Sequence, residues 1–124
     1  MNIFLDDERN PGQVTWVEMP SVFWTIVRSY DEFCKLLETE DQIDFVSFDH
    51  DLADVHYGHG LNDDKIPYNS YKEKTGMHCA IALTEWCMDN NKPLPDFQVH
   101  SMNPVGTRNI RGLLDQFRQV HNKT

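Results

Sequence analysis

The sequence predicts an α/β fold in which a small, mainly parallel sheet of about four strands carries helices on both faces. Short apolar segments alternate with amphipathic segments of helical period, and strands separated by helices pair in parallel through crossover connections. The chain of 124 residues, 40% of them hydrophobic, can build one hydrophobic core. We therefore expect a single domain over residues 1–124.

The first part of the chain supplies two strands and one helix. Residues 2–5 form a short apolar run that ends in a turn at Pro11, and residues 22–28 are rich in β-branched and aromatic side chains. Ser29 fits an N-cap, and Glu32 three positions later completes a capping-box pattern. A helix of about ten residues is expected to follow.

The third strand and the second helix are separated by a long polar segment. Residues 43–48 read as an apolar strand, whereas residues 53–74 show no steady period. This segment is predicted to be a long loop over the strand ends, and loops of such length are often functional. Thr75 then fits the cap of an apolar helix that runs to about Asn90.

The last part of the chain predicts one more strand and one more helix. Residues 97–100 form the fourth strand, after two prolines that stop the preceding helix. A turn is predicted at residues 103–106, just before a final helix whose apolar positions keep helical spacing: Ile110, Leu113, Leu114, Phe117 and Val120.

Charge and cysteine content limit the partners. A net charge of −9 makes duplex DNA and anionic membrane surfaces poor partners and favours cations. No apolar segment is long enough to span a membrane, and Met1 leads directly into the first strand without a signal-type segment. Three cysteines without paired spacing suit a reducing compartment. We expect a cytoplasmic protein.

Polar clusters follow three of the four predicted strands. Ligands of open parallel sheets bind at the carboxyl ends of the strands, so we expect the three clusters to meet in one crevice. The clusters are Asp6 and Asp7 after strand one, Asp49, His50 and Asp51 after strand three, and His100, Ser101 and Asn103 after strand four.

Several of these residues have a plainer interpretation that the sequence leaves open. Asp6 and Asp7 suit either a solvated strand end or a hard divalent cation. His100 suits either a buried, hydrogen-bonded histidine or a site residue. Asn103 and Gly106 either shape a turn and cap the last helix or hold phosphate oxygens through backbone amides.

Four motifs occur in an order that resembles a known family. They are LDDERNP at residues 5–11, SFDHDL at 47–52, a helix opened by TG, and VHSMNPVGTRNI at 99–110. Together they resemble the cyclic-phosphate-processing receiver-like domains, which are related to response-regulator receivers. The resemblance implies a flavodoxin-like three-layer sandwich, truncated because the fifth strand with its lysine and the first receiver helix are missing.

The resemblance also implies a metal site and an activity. By analogy with response-regulator receivers, the resemblance implies that Asp6, Asp7 and Asp49 hold Mg²⁺ or Mn²⁺ and that Ser101 takes the place of the hydroxyl residue after strand four. The implied activity is metal-dependent phosphoesterase processing of cyclic phosphates on small nucleotides or RNA ends.

The residues themselves suggest how such an activity would work. Hydrolysis of a cyclic phosphodiester needs charge neutralisation, an in-line water and a proton for the leaving oxygen. Acid/base candidates are His50 and His100, with Asp51 as an orienting group or further ligand, and phosphate-binding candidates are Arg9, Ser101, Asn103, Gly106 and Arg108. Two alternatives remain: a non-catalytic module that sequesters a phosphorylated or cyclic nucleotide, and a stand-alone receiver phosphorylated on Asp49.

Overall fold

The computed structural model describes residues 1–52 and 74–121 and contains one parallel sheet. The strand order is β2-β1-β3-β4, and every neighbouring pair is parallel. This confirms the predicted truncated receiver-like α/β fold. Two strands are shorter than the predicted segments 22–28 and 43–48. The bounds are β1 Asn2–Leu5, β2 Trp24–Val27, β3 Phe45–Phe48 and β4 Asp96–Val99.

Three helices connect or follow the strands in the described residues: α1 Tyr30–Thr39, α2 Gly76–Asp89 and α3 Pro104–His121. Ser29 caps α1, because its hydroxyl accepts a hydrogen bond from the Glu32 amide at 3.2 Å. In a capping box, the Glu32 carboxylate would accept a hydrogen bond from the Ser29 amide. Here it accepts one from the Arg28 amide, one residue earlier. Thr75 caps α2 as predicted.

The last helix begins earlier than the sequence suggests. A turn is predicted at residues 103–106 before the helix, but α3 starts at Pro104. Asn103 acts as its N-cap, because Asn103 Oδ1 accepts a hydrogen bond from the Gly106 amide at 2.9 Å. Proline favours the first helical position, where its missing N–H needs no partner.

All three helices contribute to one hydrophobic cluster on one face of the sheet. Strand side chains alternate between faces, so Ile3 and Leu5 of β1 share a face with Val46 and Phe48 of β3. The buried helix residues of the same cluster include Phe33, Leu37, Cys79, Ala80, Leu83, Cys87, Ile110 and Leu114.

The opposite face of the sheet is covered differently from the prediction of helices on both faces. Within the described residues, the β1–β2 connection lies there and contains a short 3-10 helix at Pro11–Gln13. Trp16 Nε1 donates to the His100 carbonyl at 2.7 Å, and Gln98 Nε2 contacts Met19 Sδ at 3.0 Å. Proline and glycine at the start of this connection end any helical period, so an irregular segment covers the face.

Two further sequence predictions concern the middle of the chain and membranes. The predicted loop over residues 53–74 lies outside the described residues except for residue 74. Among the described residues, no helix has the length and apolar character needed to cross a membrane.

Candidate functional site

Three buried polar side chains meet at the carboxyl edge of the sheet. Asp6, Asp49 and His100 directly follow β1, β3 and β4, and all three are buried. Backbone pairing continues past the strands, because the Asp49 amide donates to the Leu5 carbonyl and the His100 amide donates to the Phe48 carbonyl, both at 2.9 Å. The ladder therefore places the three residues side by side.

Asp6 is held by hydrogen bonds from its own turn and from the neighbouring strand. Asp6 Oδ1 accepts from the backbone amides of Glu8 and Arg9 at 2.9 and 2.8 Å, and Oδ2 accepts from His100 Nε2 at 3.1 Å. Burial alone would raise the pKa of Asp6, but the hydrogen bonds from His100, Arg9 and Glu8 lower it to about 2. Asp6 is therefore ionised at neutral pH.

Asp49 has the opposite electrostatic character. Its Oδ1 accepts from the His50 amide at 2.9 Å, but its buried Oδ2 has no hydrogen-bond partner among the described residues. The guanidinium of Arg9 is nearby, with Nη1 at 4.0 Å from Oδ2. Burial, followed by the nearby charge of Asp6, raises the pKa of Asp49 to about 8, against the opposing effect of Arg9. A buried carboxyl oxygen that accepts no hydrogen bond from the described residues is a position that a cation would stabilise.

His100 lies in a chain of hydrogen bonds between Gln98 and Asp6. Gln98 Nε2 donates to Ser47 Oγ at 3.1 Å, and Ser47 Oγ lies 2.7 Å from His100 Nδ1. The ring also stacks on Phe4, with 4.6 Å between ring centroids. Since Ser47 Oγ accepts from Gln98, its own proton is available to Nδ1, which puts the imidazole N–H on Nε2 towards Asp6.

A second histidine is held by a carboxylate and an amide. His50 Nδ1 lies 2.7 Å from Asp51 Oδ1, and Asn103 Nδ2 donates to both oxygens of Asp51 at 3.3 and 3.4 Å. The Asp51 carboxylate thus accepts the proton on Nδ1 and orients the ring. The Gly106 amide already donates to Asn103, so this amide is engaged in capping α3.

Two helix N-termini pack closely against Asp49 and His50, one against the backbone and one against the His50 side chain. A Cβ atom on Gly106 would lie 2.3 Å from His50 Cγ, and one on Gly76 would lie 1.8 Å from the Asp49 carbonyl oxygen. The Gly76 amide also donates to the His50 carbonyl at 2.7 Å. The glycines of the TG and NPVG motifs therefore permit close approach of α2 and α3 to the site.

Arg9 lies over the carboxylates, whereas three other predicted residues lie further out. Arg9 Nη1 is 3.4 Å from Asp6 Oδ2, and its guanidinium lies 5.0 Å from the centre of the Trp16 ring. Ser101 Oγ accepts from the Asn103 amide at 3.0 Å at the start of α3. Asp7 is half-buried beside Asp6, and Arg108 is exposed on α3.

Sequence reasoning did not single out Ser47, Gln98, Trp16 or Arg28. Arg28, at the end of β2, donates from Nη1 to the carbonyl oxygens of Asp6 and Arg9 at 3.2 and 2.6 Å and so braces the turn that carries them. The detectable signals were a serine inside the apolar strand FVSF and an arginine directly after a strand. Trp16 and Gln98 offered no comparable signal.

The residues present fit a divalent cation. One ligand atom each from Asp6, Asp49 and His100 lies within 4.8 Å of the others, and all three residues are buried. Within the described residues, the predicted ligand Asp7 is not a member of this cluster. Two carboxylates and an imidazole are donors that divalent ions accept, and the unpartnered Asp49 Oδ2 provides an uncompensated oxygen within the described part of the chain.

Comparison with known proteins gives one family match. The sequence profile of the family described as the cyclic-phosphate processing receiver domain matches residues 1–116. No curated protein and no solved structure matches the chain. The matched range contains β1, β3 and β4 and therefore all three of the buried groups at the sheet edge.

Proposed function

The chain belongs to the family of cyclic-phosphate processing receiver domains, and on that premise we propose that it is a metal-dependent phosphoesterase that opens cyclic phosphates on small nucleotides or RNA ends. The observation that supports this most is the buried Asp49 Oδ2, unpartnered among the described residues, beside Asp6 at the carboxyl edge of the sheet. Such an uncompensated carboxyl group favours a cation, and a cation favours an anionic substrate.

Asp6 and Asp49 are the proposed metal-binding residues, with Asp7 on the same turn as Asp6. A bound Mg²⁺ or Mn²⁺ would offset the negative charge of the phosphodiester. Asp6 is already ionised, whereas the raised pKa of Asp49 means that it gives up its proton when a cation binds. Before a cation binds, Asp6 is therefore ionised, whereas Asp49 still carries its proton at neutral pH.

Arg9 is the proposed anchor for the phosphate. Its side chain is 25% exposed, so the guanidinium can meet a ligand while Trp16 supports its plane. A planar guanidinium can donate two parallel hydrogen bonds to phosphate oxygens. Ser101 and Arg108, both near the start of α3, are proposed to add donors at the same end of the sheet, where Asn103 caps that helix.

His50 is the proposed acid/base residue. Asp51 and Asn103 orient its ring, and an imidazole can take a proton from an attacking water. The water oxygen bonds to phosphorus, one ring P–O bond breaks, and the leaving oxygen receives the proton. His100 suits this task less well, because both of its nitrogens already have partners in the buried chain from Ser47 to Asp6.

A substrate panel tests the proposal. Purified protein is incubated with Mg²⁺ or Mn²⁺ and with 2′,3′-cyclic nucleotides, cyclic-phosphate RNA ends and cyclic dinucleotides, with and without chelator. We expect ring opening of at least one substrate, loss of activity with chelator, and loss in Asp49→Asn and His50→Ala. The control His121→Ala changes a histidine on α3 that bonds the Lys92 carbonyl and should retain activity. Intact substrates throughout would contradict the proposal.

A binding module without turnover is the second candidate. The full burial of the His50 ring favours it, because an acid/base group must reach its substrate. Binding of a cyclic nucleotide with recovery of the unchanged ligand would support this alternative. Labelling by small phosphodonors that disappears in Asp49→Asn would instead support a phosphate-accepting receiver.

A further inference from the structure

We propose that His100 is the third ligand of the metal site, and that the site therefore takes a transition cation such as Mn²⁺ in preference to Mg²⁺. This inference rests on the proposed function only in so far as the site binds a divalent ion. It assigns His100 to cation binding instead of proton transfer.

The arrangement of the three side chains carries the assignment. Ligand atoms of Asp6, Asp49 and His100 lie within 4.8 Å of one another, and their side chains are only 1%, 3% and 0% exposed. Within the described residues, Asp49 Oδ2 is buried without a hydrogen-bond partner, which is an independent sign that this oxygen would be stabilised by an electropositive ligand. Arg9 supplies a cation 4.0 Å from that oxygen, too far for a hydrogen bond.

Ser47 allows His100 to change its tautomer. A nitrogen can bind a metal only through its lone pair, so Nε2 must lose its proton and Nδ1 must carry one. A hydroxyl both donates and accepts, and Ser47 Oγ at 2.7 Å can accept from Nδ1 as well as donate to it. Ser47 is thus a positioning residue of the kind that orients metal-binding histidines in other proteins.

Gln98 and Phe4 keep the ring in place for this task. Gln98 Nε2 donates to Ser47 Oγ at 3.1 Å, and the Phe4 ring lies parallel to the imidazole, with an interplanar angle of 6°. These contacts fix the orientation of the His100 ring on the face of the sheet opposite the helices. The proposed change of tautomer moves a proton between the two ring nitrogens and does not require the core to rearrange.

The donor set determines the class of cation. Mg²⁺ prefers an all-oxygen octahedron and retains several waters, so an obligatory imidazole disfavours it. Mn²⁺ accepts carboxylate oxygens and also tolerates imidazole. Two carboxylates with one imidazole therefore match Mn²⁺ better than Mg²⁺, and the carboxylates keep the site less suited to soft cations.

Electron spin-echo spectroscopy of Mn²⁺ bound to the full chain tests the ligand directly. We expect modulation from a directly bound imidazole nitrogen, and a changed modulation when the histidines are labelled with ¹⁵N. The coupling should disappear in His100→Gln and remain in the control His50→Gln. Competition titrations should show that Mg²⁺ displaces Mn²⁺ only at large excess.

A second pair of variants covers the case in which His100→Gln fails to fold. Ser47→Ala should weaken Mn²⁺ binding by about 10-fold to 100-fold, and Ser47→Thr, which restores the hydroxyl, should recover it. Equal binding by wild type and Ser47→Ala would reject the positioning role.

Three results would overturn the inference: no Mn²⁺ binding, Mn²⁺ binding without nitrogen coupling, or Mg²⁺ binding as tight as that of Mn²⁺. These outcomes are separable from the proposed activity. Nitrogen-coupled Mn²⁺ in a protein that opens no cyclic phosphate would reject the phosphoesterase alone. Ring opening by a site without nitrogen coupling would reject the ligand assignment alone.

Discussion

Replacing Asp49 with asparagine should stabilise the fold when a chelator is present. The structure buries the Asp49 carboxyl group and leaves Oδ2 without a hydrogen bond from any described residue. Asparagine has nearly the same shape, and its Oδ1 can still accept from the His50 amide. The substitution therefore removes a buried ionisable group while it keeps the packing.

The size of the effect follows from the pKa of Asp49, which rises from 3.8 to about 8 on folding. Between these pH values the unfolded chain loses the proton that the folded chain retains, so the wild-type free energy of unfolding falls as pH rises through this window. At 1.36 kcal/mol per pKa unit, the upper limit of the loss at pH 7 is about 4 kcal/mol. The Asp49→Asn variant would not have this penalty, because an amide does not ionise.

Urea unfolding with chelator at pH 5, 7 and 9 measures the difference. We expect the advantage of Asp49→Asn to grow from pH 5 to pH 9, and to shrink or reverse when Mn²⁺ is added. Asp44→Asn is a suitable control, because Asp44 is exposed, pairs with the N-terminal amine and has a lowered pKa. It should show no gain at any pH. An Asp49→Asn variant less stable than wild type throughout would refute the reasoning.

Three further predictions concern residues around the site. Gly106→Ala should destabilise the fold by about 1–3 kcal/mol in urea unfolding, because the added methyl group clashes with His50. The control Gly112→Ala lies on the same helix with no described atom near the added methyl group, and it should stabilise the fold by up to about 1 kcal/mol. Asp6→Asn should lower the free energy of unfolding by about 2 kcal/mol at pH 7 and by little at pH 2. The reason is that the pKa of Asp6 falls from 3.8 to about 2 on folding, so the stabilisation from its ionised form is lost as the pH falls from 3.8 through about 2. Arg9→Gln should strengthen Mn²⁺ binding and weaken inorganic phosphate binding in calorimetric titrations, because it removes a competing positive charge and an anion donor.

Each of these has an outcome that would contradict it. Equal effects of alanine at Gly106 and Gly112 would show that the Gly106 contact relaxes at no cost. A constant loss for Asp6→Asn between pH 2 and pH 7 would show that its contribution does not come from ionisation. Weaker Mn²⁺ binding in Arg9→Gln would mean that Arg9 supports the metal site instead of competing for it.

Local sequence signals predicted the elements well because each depends on neighbouring residues. The apolar strands needed only short alternating or continuous patterns, and the caps at Ser29 and Thr75 needed a side-chain oxygen within a few residues of the first helical amide. The start of α3 was misplaced because the segment Asn103–Pro104 suits both a turn and a helix N-terminus.

The hydrogen-bond partners of the site residues were less predictable, because they depend on contacts between distant segments. Ser47 and His100 are 53 residues apart in sequence and 2.7 Å apart in space. The polarity of Ser47 was visible, but its partner was not, because strand order decides which side chains share a face. The absence of the first receiver helix was visible in the sequence, but which segment covers the second sheet face was not, since that depends on the same contacts between distant segments.

The two close-approach glycines limit how related sequences could diverge. Gly76 and Gly106 belong to different helices, yet a Cβ atom at Gly76 would meet the Asp49 carbonyl and one at Gly106 would meet the His50 side chain. Any larger residue at either position would push a helix outwards or shift Asp49 or His50. A related sequence could therefore vary its exposed side chains, but it could enlarge these two positions only by changing the helix packing and the arrangement of Asp49 and His50 together.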